Sequence, residues 1–239
     1  RRVRSYFTAS ETRARIIEMV RIATAVDTIS CTSELEAAVR EVRLIGEHRP
    51  PYNRRSRNAE SPAWVRITDE PAPRLSVVGS LPESGDLAAG FLGPFTSRSG
   101  ARRAIEVLHL AHPLRTCTQR ITPRRPSSAC IRAHLGSCPA PCVDVAAFEP
   151  YVELAVAAYT AMTRDHGALV AATSTRLAEL AAAERYEEAA HLRDDLRTVL
   201  QTAQQGRELQ VLGRCAHVVA AVAEGRDWVV HVVRYGRLA

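Results

Sequence analysis

The apolar positions near the start of the chain predict a helix followed by a strand. Isoleucine and valine recur at helical spacing over 16–20, directly after a Thr-x-x-Glu sequence at 8–11 that has the form of a capping box. Residues 24–32 are rich in β-branched side chains, which are typical of a strand. We therefore expect a helix that is capped at 8–11 and a single strand after it.

A second helix is predicted from a second capping box, which runs from Ser33 to Glu36. Pro50-Pro51 stop this helix. Its apolar stripe consists of Leu35, Ala38, Val39, Val42 and Ile45. Glu41 lies at the border of the stripe, where a carboxylate can face a cleft and bind a hard cation such as Mg²⁺. Periodicity alone favours the simpler interpretation, a solvated helix glutamate.

The middle of the chain predicts two short strands and one helix. A polar stretch from 53 to about 66 is interpreted as a loop, and strand candidates follow at 64–68 and 75–78. The sequence Phe-Leu-Gly-Pro-Phe at 91–95 predicts a turn, because glycine and proline favour turns. A helix over about 97–111 is expected to follow that turn.

The second half of the chain predicts long helices and then a β-hairpin. Residues 148–205 are rich in Ala, Leu, Glu and Arg, and a polar interruption at 184–185 divides them into a helical hairpin. The segment 186–194 opens the second helix of that hairpin, with a small alanine face beside a leucine stripe. It suits either a docking surface or an internal helix pair. After residue 209, two strands are predicted at 218–223 and 228–233, with a turn between them.

Composition and charge narrow the class of protein only slightly. The chain has 239 residues, is 46% hydrophobic and carries a net charge of +6, which suits one to three compact units and weakly favours a polyanionic partner. The sequence has neither an apolar run of about 18 residues nor the pattern of a signal peptide. We therefore expect a cytoplasmic protein whose cysteines are reduced or bound to metal.

Four of the six cysteines lie within 26 residues of an irregular, proline-rich stretch, 113–145. Cys117, Cys130, Cys138 and Cys142 are separated by 12, 7 and 3 residues, and only the last gap comes near a zinc knuckle. Four thiolates on irregular loops also suit an iron–sulfur cluster. The remaining alternative is four free buried cysteines, which the local density argues against.

Several segments, in order along the chain, resemble UvrC, the nuclease subunit of bacterial nucleotide excision repair. The stretch 2–7 is similar to the end of the first helix of a GIY-YIG nuclease domain. The stretch 33–53 resembles the family's glutamate helix and its R-P-x-Y-N ending. The other matching segments are Phe-Leu-Gly-Pro-Phe at 91–95, the cysteine region at 113–117 and 136–142, the UVR motif at 186–194, and the tail through 238.

The resemblance implies roles for several residues whose function the sequence pattern alone does not decide. Glu41 becomes the carboxylate that binds Mg²⁺ or Mn²⁺, and Arg2, otherwise part of a basic strip, becomes a phosphate contact. Tyr6 and Asn53 match positions in or near the nuclease site. The four clustered cysteines become ligands of an iron–sulfur cluster, expected to be 4Fe–4S, with zinc as the alternative. The residues implied to bind a UvrB-like helicase are Tyr186, Glu187, Ala190, Leu192, Arg193 and Asp194.

The chain also departs from the family pattern. The GIY and YIG strands, with the tyrosine expected to act as general base, would precede Arg1, and the aspartates of a second nuclease would follow Ala239. We therefore expect a segment that is truncated at both ends and inactive by itself. Glu41 is followed by Val42-Arg43, where the family often has asparagine. Similar segments also occur in homologues with one nuclease domain and in fusions with an exonuclease.

The predicted fold class is α+β, divided into five segments. These are a C-terminal part of a GIY-YIG domain (1–57), an α/β linker region (58–112), a cysteine-rich region (113–145), a helical region with the UVR hairpin (146–207) and the start of a β unit (208–239). The full-length protein is expected to incise damaged double-stranded DNA by metal-assisted hydrolysis. The alternative is a non-catalytic adaptor with a degenerate nuclease domain, which binds DNA and recruits a UvrB-like helicase through the hairpin.

Overall fold

The structure is a computed structural model that describes residues 6–8, 11–52, 62–81 and 90–239. The chain divides into two compact units. The terminal unit consists of residues 1–59 and 215–239, and the central unit consists of residues 60–214. Nearly all of the second predicted segment lies in the central unit, together with the whole of the third and fourth. In the described part of the chain, no helix is both long and apolar enough to cross a membrane.

Helix α1 of the terminal unit, Ala14–Ile22, starts later than the first capping box predicts. The N-cap residue is Arg13, and no side chain caps the helix. The Glu11 carboxylate instead accepts hydrogen bonds from the backbone N–H and the guanidinium of Arg13. The predicted cap at 8–11 is therefore wrong, because an ion pair within the chain occupies its carboxylate.

Helix α2, Glu34–His48, confirms the second prediction. Ser33 Oγ accepts a hydrogen bond of 3.1 Å from the backbone N–H of Glu36. The Glu36 carboxylate accepts from the N–H and hydroxyl of Thr32, one residue earlier than in a regular capping box. Arg49 ends the helix in the left-handed conformation, directly before the two prolines. Of the apolar stripe, only Ile45 is buried.

The strand predicted at 24–32 is absent, and these residues have no regular structure up to the start of α2. β-branched residues favour a strand only where a neighbouring strand can pair with them, and within the described residues none pairs here. The tail confirms its prediction. Strands β4, Val218–Glu224, and β5, Asp227–Arg234, form an antiparallel hairpin that β6, Arg237–Leu238, extends. Gly225 has a positive φ of 66° in the hairpin turn.

The central unit contains an antiparallel sheet with the order β2-β1-β3, in which β1 is Ala63–Ile67, β2 is Leu75–Val78 and β3 is Phe91–Phe95. The first two strands were predicted, but 91–95 was predicted as a turn, which is wrong. Proline is tolerated in β3 because this strand lies at an edge of the sheet. Glycine is required at 93, because a Cβ there would lie 2.4 Å from Cε3 of the Trp64 ring.

Helices cover this sheet. Helix α3, Arg98–Ala111, begins at Ser97, whose Oγ accepts a hydrogen bond from the N–H of Gly100. After the short helix α4, Ile131–His134, come α5, Phe148–Thr163, α6, Gly167–Ala182, and α7, Tyr186–Arg214. The break between α6 and α7 was predicted, and Glu184 has a positive φ there. The additional break at 164–166 was not predicted.

The hydrophobic core lies in the central unit, between the sheet and the helices. α3 packs against the sheet and also against α6 and α7. The largest fully buried apolar side chains are Tyr151, Leu92, Leu108, Leu114, Met162, Leu169, Val65, Val107 and Val199. The stretch 113–145 contributes only Leu114 and Ile121 to this core, so the irregular course predicted for it is confirmed.

Candidate functional site

Glu41 lies exposed on α2, where it lines a groove of about 410 Å³ in the terminal unit. Asp27 and His48 line the same groove, so a second carboxylate and an imidazole share it with Glu41. The backbone at Asp27 belongs to the stretch that was predicted as a strand. Sequence reasoning assigned no role to Asp27, and its neighbourhood with Glu41 is visible only in the folded chain.

The other predicted nuclease residues are not assembled around Glu41 in the described part of the chain. Tyr6 is half-buried, and the Arg13 guanidinium lies 5.8 Å from the centre of its ring. Arg2 and Asn53 lie outside the described residues. Among the residues that are described, no group of three or more His, Cys, Asp and Glu side chains is arranged to hold a metal ion. The roles of these residues therefore stay predictions.

The four clustered cysteines lie close enough to influence one another electrostatically. Burial raises the pKa of the Cys138 thiol, and the charges of Cys117, Cys130 and Cys142 raise it further. All four are free thiols; Cys117 and Cys130 are exposed, and the other two are half-buried. The pKa of Cys130 is lowered by the backbone N–H groups of Ala133 and Arg132, because Cys130 precedes the first turn of α4. The four thiols thus lie in one neighbourhood, but among the described residues they are not arranged to hold a metal ion.

A buried arginine anchors the start of this cysteine region. Arg115 is only 1% exposed, and every part of its guanidinium is hydrogen-bonded. Nε donates to the Ala72 carbonyl at 2.7 Å, and Nη2 donates to the Glu70 carboxylate at 2.6 Å. Nη1 donates to the carbonyls of Cys117 and Gln119 at 2.8 and 2.7 Å. Arg115 therefore joins the β1–β2 connection to the loop that carries Cys117.

The positive charge of Arg115 is also stabilised by its hydrogen-bond partners. Burial lowers the pKa of its guanidinium, but hydrogen bonds to Cys117 and Glu70 outweigh that effect and raise it. Nη1 lies 3.5 Å from Cys117 Sγ, so a positive charge faces the first cysteine of the cluster. Tyr151 completes the anchor, since its hydroxyl accepts from the Arg115 N–H and donates to the Pro73 carbonyl. Sequence reasoning noted Pro113–Cys117 but gave Arg115 no role; an arginine beside the core residue Leu114 was the only signal.

The predicted partner-binding residues divide into an exposed group and an inward group. Tyr186 is 65% exposed at the first turn of α7, and Glu187 is exposed beside it. Arg193 and Asp194 form an exposed ion pair of 2.9 Å. Leu192, in contrast, is half-buried and packs against the core of the central unit, and Ala190 is half-buried. The structure thus leaves the polar residues available and turns the leucine stripe inward.

Comparisons with known proteins agree with this architecture. Residues 1–54 match the family described as the UvrC-like GIY-YIG domain. Residues 63–161 match the family described as UvrC/Cho excinuclease, middle domain. The second match covers the sheet, α3, the cysteine region and most of α5. No solved structure matches the chain.

Curated relatives match along the whole chain. A Mycobacterium tuberculosis protein, whose name describes a bifunctional exonuclease/endonuclease, is 38% identical over 100% of this chain and 37% of its own length. UvrABC system protein C is 34% identical in Nitratidesulfovibrio vulgaris, over 100% of this chain and 35% of the relative. In Lachnospira eligens the same protein is 31% identical, over 99% of this chain and 39% of the relative. This chain therefore spans little more than a third of these relatives, and it belongs to the UvrC family.

Proposed function

We propose that the chain is part of a DNA repair endonuclease that incises damaged DNA by metal-assisted phosphodiester hydrolysis during nucleotide excision repair. The observation that carries the proposal is the match of residues 1–54 to a UvrC-like GIY-YIG domain, with Glu41 exposed in a groove of that unit. The names of the curated relatives, UvrABC system protein C among them, point to the same process.

Within this proposal, Glu41 binds the catalytic Mg²⁺ or Mn²⁺, and Asp27 offers a second oxygen ligand from the same groove. A divalent cation held by Glu41 would supply positive charge to offset the negative charge that develops on the leaving oxygen. Arg2 contributes a fixed positive charge to the phosphate, which is most useful in the transition state. The family resemblance assigns Tyr6 and Asn53 to the same nuclease site.

The catalytic proposal is tested by Glu41→Gln in the full-length protein. This change removes a charged metal ligand while keeping the size of the side chain, so Mg²⁺-dependent nicking of damaged duplex DNA should fall at least 100-fold, about 2.7 kcal/mol. Glu47→Gln is the matched control, since Glu47 lies exposed on the same helix outside the groove. Equal nicking by the Glu41 variant and the control would reject the assignment. A parent protein that binds DNA but never nicks it would support the adaptor alternative.

A second part of the proposal is a helicase of the UvrB type that binds the hairpin formed by α6 and α7. The exposed residues Tyr186, Glu187, Arg193 and Asp194 are suited to contact it. Because Leu192 packs against the core, Leu192→Asp would destabilise the fold as well as any interface. The double change Tyr186→Ala with Arg193→Ala is the cleaner test, with exposed Gln201→Ala on the same helix as its control.

The expected result is at least tenfold weaker binding of the helicase by the double variant, measured by calorimetry. The parent and the Gln201 variant should bind equally. Unchanged binding by the double variant would reject this part of the hairpin as a binding site for the helicase. The nuclease proposal would still stand.

The third part is a metal centre held by Cys117, Cys130, Cys138 and Cys142. It is supported by four soft donors within 26 residues of a stretch with little core of its own. Protein purified without oxygen should contain iron and sulfide with absorbance near 400 nm. Stoichiometric zinc would instead favour the alternative metal with the same ligands. Cys138→Ser should lose the metal, whereas Cys215→Ser, outside the cluster, should retain it. Metal-free protein whose stability is indifferent to Cys138→Ser would remove the site.

A further inference from the structure

A basic cleft lies in the central unit, away from the residues discussed above. It has a volume of about 290 Å³, with Phe91 and Met162 among its apolar lining residues. Three arginines line it: Arg164, Arg207 and Arg214. None of these residues belongs to the predicted nuclease, cysteine or partner-binding groups. The combination of apolar lining and several guanidinium groups is suited to an anionic ligand with flat or apolar parts.

The fold builds this cleft from two helices and an edge strand. Arg164 follows the end of α5, whereas Arg207, Gln210 and Arg214 follow one another at i, i+3 and i+7 on α7 and therefore share one face. α7 can lie directly against β3 because Gly206 has no side chain. A Cβ at Gly206 would lie 2.8 Å from the Gly93 carbonyl oxygen.

His166 holds one of the arginines in position. Its Nδ1 lies 2.6 Å from the Ala161 carbonyl, which can only accept a hydrogen bond, so Nδ1 carries the proton. Nε2 is then free to accept from Arg207 Nη1 at 2.9 Å. A neutral imidazole thus orients the Arg207 guanidinium without neutralising its charge.

The charge balance of the cleft differs from that of the neighbouring hairpin. On α6 and α7, Arg176, Arg185 and Arg193 each pair with a carboxylate. Among the described residues, Arg164 and Arg207 pair with no carboxylate, and no acidic side chain lines the cleft. Their positive charge is therefore available to a ligand.

We infer that this cleft binds the phosphate backbone of the DNA on which the proposed nuclease acts. The inference rests on the proposed function for the identity of the polyanion. One planar guanidinium group can donate hydrogen bonds to two oxygens of a phosphate at once. Seven residues of helix separate Arg207 from Arg214 by about 10 Å, a distance that four successive phosphates of one strand cover along a duplex axis, at about 3.4 Å per interval. This face of the central unit thereby acts as a DNA-positioning surface in addition to any structural role.

The test is the salt dependence of DNA binding by the full-length protein. Arg164→Gln combined with Arg207→Gln removes two of the proposed phosphate contacts. The slope of log Kobs against log salt concentration on duplex DNA should decrease in magnitude by about 1.8, since each contact contributes about 0.9. Arg102→Gln combined with Arg197→Gln removes the same charge from exposed positions outside the cleft and should leave the slope nearly unchanged. Circular dichroism and urea unfolding establish that both double variants are folded.

The outcomes separate this inference from the proposed function. A parent protein with no affinity for DNA contradicts the proposed function itself. DNA binding with equal slopes for the two double variants contradicts only the cleft. Loss of binding to polyglutamate, with DNA binding unchanged, would identify an acidic peptide as the ligand and would also overturn the inference. A selective loss of salt dependence in the Arg164/Arg207 variant supports it.

Discussion

Helices α2 and α3 begin in the same way and end in different environments. Each follows a serine whose hydroxyl accepts a hydrogen bond from a backbone N–H three residues later. They have 15 and 14 residues, and each carries an apolar stripe. Yet α3 buries Ala101, Ala104, Val107 and Leu108. In α2, Ile45 is the one buried residue among those that the structure describes. An amphipathic pattern therefore predicts that a helix forms, but not how deeply its apolar face is buried.

The same contrast holds between the two units that contain these helices. In the central unit, a sheet and three long helices surround the apolar face of α3, and the buried guanidinium of Arg115 is hydrogen-bonded there. In the terminal unit, the described residues leave apolar side chains such as Val42 exposed. Substitutions in the central unit should consequently cost far more stability than comparable substitutions on α2.

The largest effect is expected at Arg115. Arg115→Ala removes the shorter of two ion pairs of the Glu70 carboxylate and leaves three carbonyl groups without their donor. The free energy of unfolding should fall by about 3–5 kcal/mol, as for a buried ion pair that loses one member. Urea denaturation of the chain measures the loss. Exposed Arg102→Ala is the control and should change stability by no more than about 0.5 kcal/mol. A comparable loss in both variants would show that Arg115 is not an anchor.

A smaller loss is expected at Gly93. In Gly93→Ala the new methyl group would overlap the Trp64 ring, which cannot move aside within the core. Overpacking of this kind costs about 1–3 kcal/mol. Gly213→Ala is the matched control on α7, where nothing lies within 4 Å of the new Cβ, and it should stabilise the helix by up to about 1 kcal/mol. Thermal unfolding of both variants checks the opposite signs, and destabilisation of equal size would contradict the packing argument.

Acidification should weaken the central unit through two histidines. Burial lowers the pKa of both His109 and His112, and their Nε2 atoms are buried without a hydrogen-bond partner. Below the ordinary value of about 6.5, the unfolded chain therefore binds more protons than the folded chain, and stability falls as the pH falls. The limiting slope is about 1.4 kcal/mol per pH unit for each histidine.

The pH effect is measured by urea unfolding at several values between pH 7.5 and 5.5. His112→Gln should flatten the dependence, whereas His134→Gln, which changes an exposed histidine, should not. An unchanged pH dependence in the His112 variant would exclude that histidine as a source of acid sensitivity.

The smallest effect is expected on α2. Val42 is 65% exposed, so Val42→Ala should change the free energy of unfolding by less than about 0.5 kcal/mol. The same substitution at Val107, which is buried on α3, removes two buried carbon atoms and should cost about 2 kcal/mol. Equal losses of stability at the two positions, measured under the same denaturant conditions, would contradict the expected difference in burial between α2 and α3.

Much of the local structure could be predicted from the sequence. The Ser33 cap, the stop before Pro50-Pro51, the break near Glu184 and the hairpin around Gly225 all depend on interactions within a few residues, and all four predictions are confirmed. The family resemblance through the cysteine region is confirmed as well. The roles assigned to Glu41 and to the cysteines stay predictions, since a ligand set depends on contacts with groups that no pattern displays.

The sequence by itself determined which segments become helices and which become paired strands in the tail, because helix capping, periodicity and turn residues act over short distances. Only the tertiary structure decided that 91–95 is a strand, since its glycine is required by the Trp64 ring of a neighbouring strand. Only the tertiary structure likewise decided that residues 24–32 do not form a strand. The acceptors around Arg115 and the proximity of the three arginines in the basic cleft were also decided at that level. Each of these outcomes depends on residues far apart in the chain, whose proximity exists only after folding.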